Sequence, residues 1–178
     1  MPEETKGPGR AAGGAGGPPA AVENPQIKLE TKFISGLKPD VADNIFFLDD
    51  NQVVYPVGHN IVIYHLEDRT QKAYPCIEGS EGITSMAISK NRKTLAVAEK
   101  SDKTPICTIY SINDPRPDNN GDFKDSGKSL KKKKIICSTE IKQHKSFVSM
   151  AFCPKNDKLL VTLSSEPEQT VYIWQVDK

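Results

Sequence analysis

The sequence predicts an all-β fold made of repeated four-stranded antiparallel sheets, on three observations. Two stretches superpose at a constant shift of 64 residues: residues 83–89 lie on 147–153, 94–98 on 158–162, and 106–110 on 170–174. A fixed period across three strand-like segments marks a repeat architecture. From Pro39 onward, short runs rich in β-branched and aromatic residues alternate with turn clusters, the pattern of strands joined by tight connections. No stretch carries apolar residues at the three- and four-residue spacing of an amphipathic helix.

The first unit is expected over about residues 44–77. Residues 44–48 end in the turn cluster Asp49-Asp50-Asn51, and residues 52–57 are stopped by Gly58-His59-Asn60. Residues 61–66 carry apolar side chains on both parities, so both faces need cover, and Glu67-Asp68-Arg69-Thr70 turns the chain into residues 71–77. Four strands with short connections form an antiparallel meander. Pro56 and Pro75 place those segments at sheet edges or ends, because proline cannot donate to a ladder.

The second unit is expected over about residues 83–138. Strands at 83–89, 94–99 and 104–112 are followed by a polar insertion, 113–131, that reads as a surface loop. Ile135-Ile136-Cys137-Ser138 then resumes the sheet. The third unit, about 147–176, offers strands at 147–153, 158–164 and 170–176 with no fourth. Ahead of these units, residues 7–22 are nearly all Gly, Ala and Pro. Such a stretch has no side chain large enough to offset the entropy of ordering it, so residues 1–26 read as a disordered tail and residues 27–178 as the folded part.

Of the 178 residues, 24 are basic and 23 acidic, giving a net charge of +1. That balance exerts no global pull toward nucleic acid or anionic lipid. There is no signal-peptide block and no apolar run of the roughly 18 residues a membrane span needs, so a soluble chain on the cytosolic side is expected. Cys76, Cys107, Cys137 and Cys153 are scattered without Cys-x-x-Cys spacing. They read as reduced thiols, three of them packed as small hydrophobes, rather than as metal ligands.

The last unit carries the most recognisable motifs. Gln143-His144 precedes Phe147-Val148-Ser149-Met150-Ala151-Phe152; Cys153-Pro154-Lys155-Asn156 follows as a turn; Tyr172-Ile173-Trp174 closes the third strand. This resembles a WD40 repeat, in which a Gly-His pair, a Ser-Pro-Asp-Gly-type turn and a Trp-Asp pair hold those places. Gln143 stands for the Gly and Gln175 for the Asp, and the acidic residue before the third strand is at best Glu168. Units one and two have Tyr64 and Tyr110 where the Trp falls. The resemblance implies an incomplete WD40 β-propeller of about two and three-quarter blades, in which sheets stack radially to bury both faces. Closed propellers hold about four to eight blades. A piece of a longer protein, a shortened product, or a chain that completes itself on a partner is therefore expected.

Residues 37–49, with the entry Asp43-Asn44-Ile45-Phe46-Phe47, then 53–60 and 87–99, are also similar to the N-terminal blades of a family of long cilium- and flagellum-associated proteins. The resemblance implies axonemal scaffolds, with WD-repeat propellers followed by a coiled coil, that help position inner dynein arms. Protein partners follow from it (axonemal or dynein-arm components, tubulin among them), with a place in the cytoplasm, cytoskeleton and ciliary axoneme, and with no nucleic acid or membrane partner.

Candidate sites are few. His144 reads as the structural histidine of a WD40 repeat and Trp174 as its packing tryptophan; no nucleophile or carboxylate stands at a spacing that would make His144 catalytic. His59 and His65 read as turn and strand residues. Asp49-Asp50-Asn51 lacks calcium-loop spacing, and the N-terminal glycines follow no strand, so they form no phosphate loop. The charge run Lys131, Lys132, Lys133 and Lys134 is the sharpest feature: a solvated loop edge that protects the next strand, or a polyanion contact. The expectation is a non-enzymatic scaffold without cofactor or metal. The alternative is a cytosolic or nuclear adaptor that grips a polyanion through the Lys131-Lys134 loop.

Overall fold

The structure, a computed structural model, describes residues 32–41, 43–102, 104–115, 127–136, 146–167 and 169–176, all within the unit Thr31–Lys178. The expected tail at 1–26, most of the 113–131 insertion, Cys137, His144 and Glu168 lie outside the described residues. Among the described residues, eleven strands form three antiparallel sheets. The first holds β1 (Phe46–Phe47), β2 (Gln52–Val57), β3 (Asn60–His65) and β4 (Gln71–Pro75), side by side in that order. The second holds β5 (Ser80–Ile88), β6 (Thr94–Ser101), β7 (Ile106–Asn113) and β8 (Ser129–Ile136). The third holds β9 (Phe147–Cys153), β10 (Asn156–Ser164) and β11 (Val171–Gln175).

The sheets stack face to face because their strands are apolar on both parities. On β6, Leu95 and Val97 enter one cluster with Val54, Ile61 and Ile63 of the first sheet. Ala96 and Ala98 enter another with Phe147, Met150 and Leu160 of the third. Adjacent β7 divides in the same way, Tyr110 and Ile112 one way and Cys107 and Ile109 the other. Side chains alternate across a strand with period two, so the middle sheet is covered on both faces. Each fully buried Leu, Ile or Val is worth roughly 1.5–3 kcal/mol. Hydrogen bonds cross both seams: Ile77 N–H donates to Glu99 Oε2 at 3.0 Å, and Thr84 Oγ1 donates to the Phe147 carbonyl at 2.8 Å.

Tight connections account for the pairing. β2 and β3 are joined through Gly58 and His59 alone, with Gly58 at φ 54, a left-handed value that costs glycine nothing. Ser89 organises the β5–β6 turn: its Oγ accepts from Thr94 N–H at 3.0 Å and donates to Asn91 Oδ1 at 2.8 Å.

Both strand prolines sit at strand ends, as their missing donor requires. Pro56 is the second-last residue of β2, beyond the reach of β1, and Pro75 ends the outer strand β4. The Pro56 carbonyl accepts from Lys38 N–H at 3.0 Å, so the side of the chain where proline lacks a donor points away from β3, and β1 pairs only as far as Val54. The gapless repeat is one residue out in the middle strand. Leu95 pairs with Ile88 and Tyr110, whereas Leu160 pairs with Phe152 and Trp174. Leu160 therefore answers to Leu95 and not to Ala96; the extra residue is taken up where the pairing shifts between Asn156 and Leu160. A one-residue slip sends every side chain to the other face, and this bulge keeps Leu160 facing the second sheet. The lysine run also differs from expectation: it stands on a strand and not in a loop.

Candidate interaction surfaces

β8 is an outer strand of the second sheet and contains all four lysines. Leu130 and Ile136 are buried near its ends, while residues 131–135 are exposed. Two apolar anchors and pairing to β7 suffice to hold such a strand, so charge in between does not end it. Lys131 lies opposite Ser111, Lys132 opposite Tyr110 and Lys134 opposite Ile109. Lys133 is the extra residue at the register shift between Ile109 and Tyr110. A bulge bends a strand and re-aims its side chains, and lysines with a bulge blunt an edge against pairing with another chain.

The third sheet is covered on one face only among the described residues. Phe147, Met150, Leu160 and, in part, Trp174 pack toward the second sheet. On the other face Val171 and Ile173 are 59% and 71% exposed, and Val148, unpaired at the register shift in β9, is 48% exposed. Trp174 Nε1 donates to Thr162 Oγ1 at 2.8 Å, and its ring stacks on Tyr172 with centroids 5.7 Å apart.

Between the first and second sheets stands a buried carboxylate that the sequence did not announce. Glu99 is fully buried, and only its Oε2 receives a described hydrogen bond, from Ile77 N–H. Burial, and then the Glu99 charge, pushes the Cys76 thiol up to about 12. The same two causes push Cys107 up to about 12 and raise Tyr110. Thiols of that kind stay protonated and are poor nucleophiles; Cys153 is half-buried and free. An acidic side chain ending a run of Ala and Val on β6 was the available signal.

The remaining sequence candidates are tied into local structure. His59 Nε2 lies 3.1 Å from the Glu81 carbonyl, and His65 Nδ1 accepts from Asp68 N–H at 3.2 Å. Asp49 Oδ1 accepts from Asn51 N–H at 2.9 Å, a side-chain turn and not a cation loop. Among the described residues, no group of three or more His, Cys, Asp or Glu could hold a metal ion. No described helix is long and apolar enough to cross a membrane.

Stacked antiparallel meanders, each burying a face on its neighbour, define the class: a partial β-propeller of the WD40 type. The C-terminal WD40 domain of Sif2 superposes with a TM-score of 0.52 at 11% identity, over 74% of this chain and 33% of that one, a likeness of fold alone. In sequence the chain is similar to cilia- and flagella-associated protein 57 of Mus musculus, 31% identical over 152 residues, which is 85% of this chain and 11% of that protein. It is also similar to cilia- and flagella-associated protein 57 C of Tetrahymena thermophila, 28% identical over 82 residues, 46% of this chain and 6% of the relative. The chain thus spans about a tenth or less of the length of these relatives. No protein-family model matches it.

Proposed function

We propose that the chain is a non-catalytic scaffold, a protein-interaction module of the ciliary or flagellar axoneme that contributes to the placement of inner dynein arms and so to motility. The observation that carries this reading is the likeness to cilia- and flagella-associated protein 57 along 85% of the chain, joined to a fold that builds surfaces. The described histidines and buried thiols are engaged in packing or turns, in keeping with contact and not chemistry. Partners on this reading are axonemal proteins, dynein-arm components or tubulin.

The test is immunostaining of ciliated cells with an antibody raised against the Gly/Ala-rich stretch at residues 7–22. A signal along the axoneme is expected; a purely nuclear signal overturns the reading. The exposed row of lysines on β8 favours a second reading, a cytosolic or nuclear adaptor for a polyanion. Replacing Lys131, Lys132, Lys133 and Lys134 with Gln then abolishes localisation, whereas unchanged localisation removes it.

A further inference from the structure

A groove of about 510 Å³ lies where the β5–β6 turn, the β9–β10 turn and β8 come together. Lys93 reaches it from the β5–β6 turn, Lys155 from the β9–β10 turn, Lys158 from the start of β10, and Lys133 from the β8 bulge. All four are exposed. The one carboxylate in its lining, Asp157, accepts a hydrogen bond from Lys90 N–H at 3.0 Å through Oδ1, which ties the β5–β6 turn to the start of β10. Asn91 and Asn156 also line it, with their carboxamide oxygens taken by Lys93 N–H at 2.9 Å and Lys158 N–H at 3.1 Å. Each of those amides also carries an Nδ2 group with two N–H donors.

We propose that this groove between the second and third sheets binds an acidic peptide in extended form, its carboxylates meeting Lys93, Lys133, Lys155 and Lys158. The positive charges come from separate elements on the two sides of the seam, an arrangement that suits the successive carboxylates of an extended peptide. No aromatic side chain or arginine lines the groove, so it lacks the stacking platforms of a single-stranded nucleic-acid site and the planar forks that favour phosphate. The β8 bulge has a use here, since it brings Lys133 to the seam. This deepens the interaction-module reading by naming a ligand class and a place.

The experiment is fluorescence anisotropy of labelled octaglutamate with the full chain, at low salt and at about 0.5 M salt, where exposed charges are largely screened. The groove variant Lys93→Gln/Lys155→Gln/Lys158→Gln is expected to bind at least about tenfold more weakly, since each exposed ion pair is worth up to roughly fivefold. The edge variant Lys131→Gln/Lys132→Gln/Lys134→Gln is expected to bind within about twofold of the parent. Asp157→Asn keeps an oxygen for Lys90 N–H but removes the opposing charge, and it is expected to tighten binding, a direction that misfolding does not produce. Equal losses in both lysine variants, or weaker binding by Asp157→Asn, overturn the proposal. So does an absence of octaglutamate binding where an oligonucleotide or heparin binds. An axonemal signal without octaglutamate binding sinks the groove alone; octaglutamate binding with a purely nuclear signal sinks the axonemal placement alone.

Discussion

Gln52 and Lys128 lock the first sheet to the second: the Gln52 carboxamide oxygen accepts from Lys128 N–H at 2.7 Å, across 76 residues of sequence. Gln52 is 6% exposed, and its Nε2 donates to Asp49 Oδ2 at 2.8 Å, which fixes the amide's orientation. The neighbouring Gly127 has φ 132, and a Cβ there would stand 2.8 Å from Gln52 Oε1. Gln52→Leu strands a largely buried N–H, at a cost of about 1–3 kcal/mol. Gly127→Ala adds backbone strain of about 1–3 kcal/mol and displaces the same amide. Urea unfolding of both variants should show lower midpoints at unchanged slope; midpoints equal to the parent's would remove the lock.

Ile109 and Ile173 occupy equivalent places in the repeat, opposite Ala96 and Val161 respectively. Ile109 is fully buried beneath the third sheet, whereas Ile173 is 71% exposed. Ile109→Ala should cost about 2–5 kcal/mol through lost transfer energy and a cavity. Ile173→Ala should stay within about 0.5 kcal/mol of the parent. Thermal unfolding of the two variants at low protein concentration checks this. A comparable loss at both positions would mean that the open face is covered in solution.

The strands were legible because their composition needs cover on both sides, as in Ile61, Val62 and Ile63, all at most 2% exposed. Gly58 and His59 announced their hairpin for the same kind of local reason. The third sheet's register was not legible. A bulge between Asn156 and Leu160 changes no composition, only which neighbour each side chain meets. Charge density also misled the reading at β8: four successive lysines look like a loop, yet an outer strand needs only Leu130 and Ile136 under cover. The groove stayed hidden because Lys93, Lys133 and Lys155 are far apart in sequence and meet only when the sheets stack. Glu99 was missed since a strand pattern does not show that its carboxylate will cap Ile77 N–H.

The buried thiols set an alkaline limit. Cys107 is pushed up to about 12 from an ordinary value of 9.0. Above pH 9 the unfolded chain releases that proton while the folded chain keeps it, so the folded state binds more protons and stability falls as pH rises. The contribution is complete below about pH 9 and is lost as pH rises toward about 12; Cys76 acts in the same window and direction. Cys107→Ala should therefore show a shallower fall of the urea midpoint between about pH 9 and 11 than the parent does. Parallel curves would show that the thiol does not couple to folding. In the native state at about pH 8, alkylation followed by mass spectrometry should leave Cys107 unmodified until denaturant is added.

Trp174 performs two tasks, and they can be separated. Its ring packs against the core shared by the second and third sheets, while Nε1 donates to Thr162 Oγ1 at 2.8 Å. Thr162 is fully buried, so its hydroxyl draws on no solvent if that donor is lost. Trp174→Phe keeps an aromatic ring but removes the donor, and should cost about 1–3 kcal/mol in hydrogen bonding and lost volume. Thr162→Val deletes the matching hydroxyl with nearly the same shape. Removing both partners of a buried hydrogen bond is far less costly than removing one. The double variant should thus be more stable than the sum of the single losses, with a coupling of about 0.5–1.5 kcal/mol in a denaturation cycle. Strict additivity would assign Trp174 to packing alone.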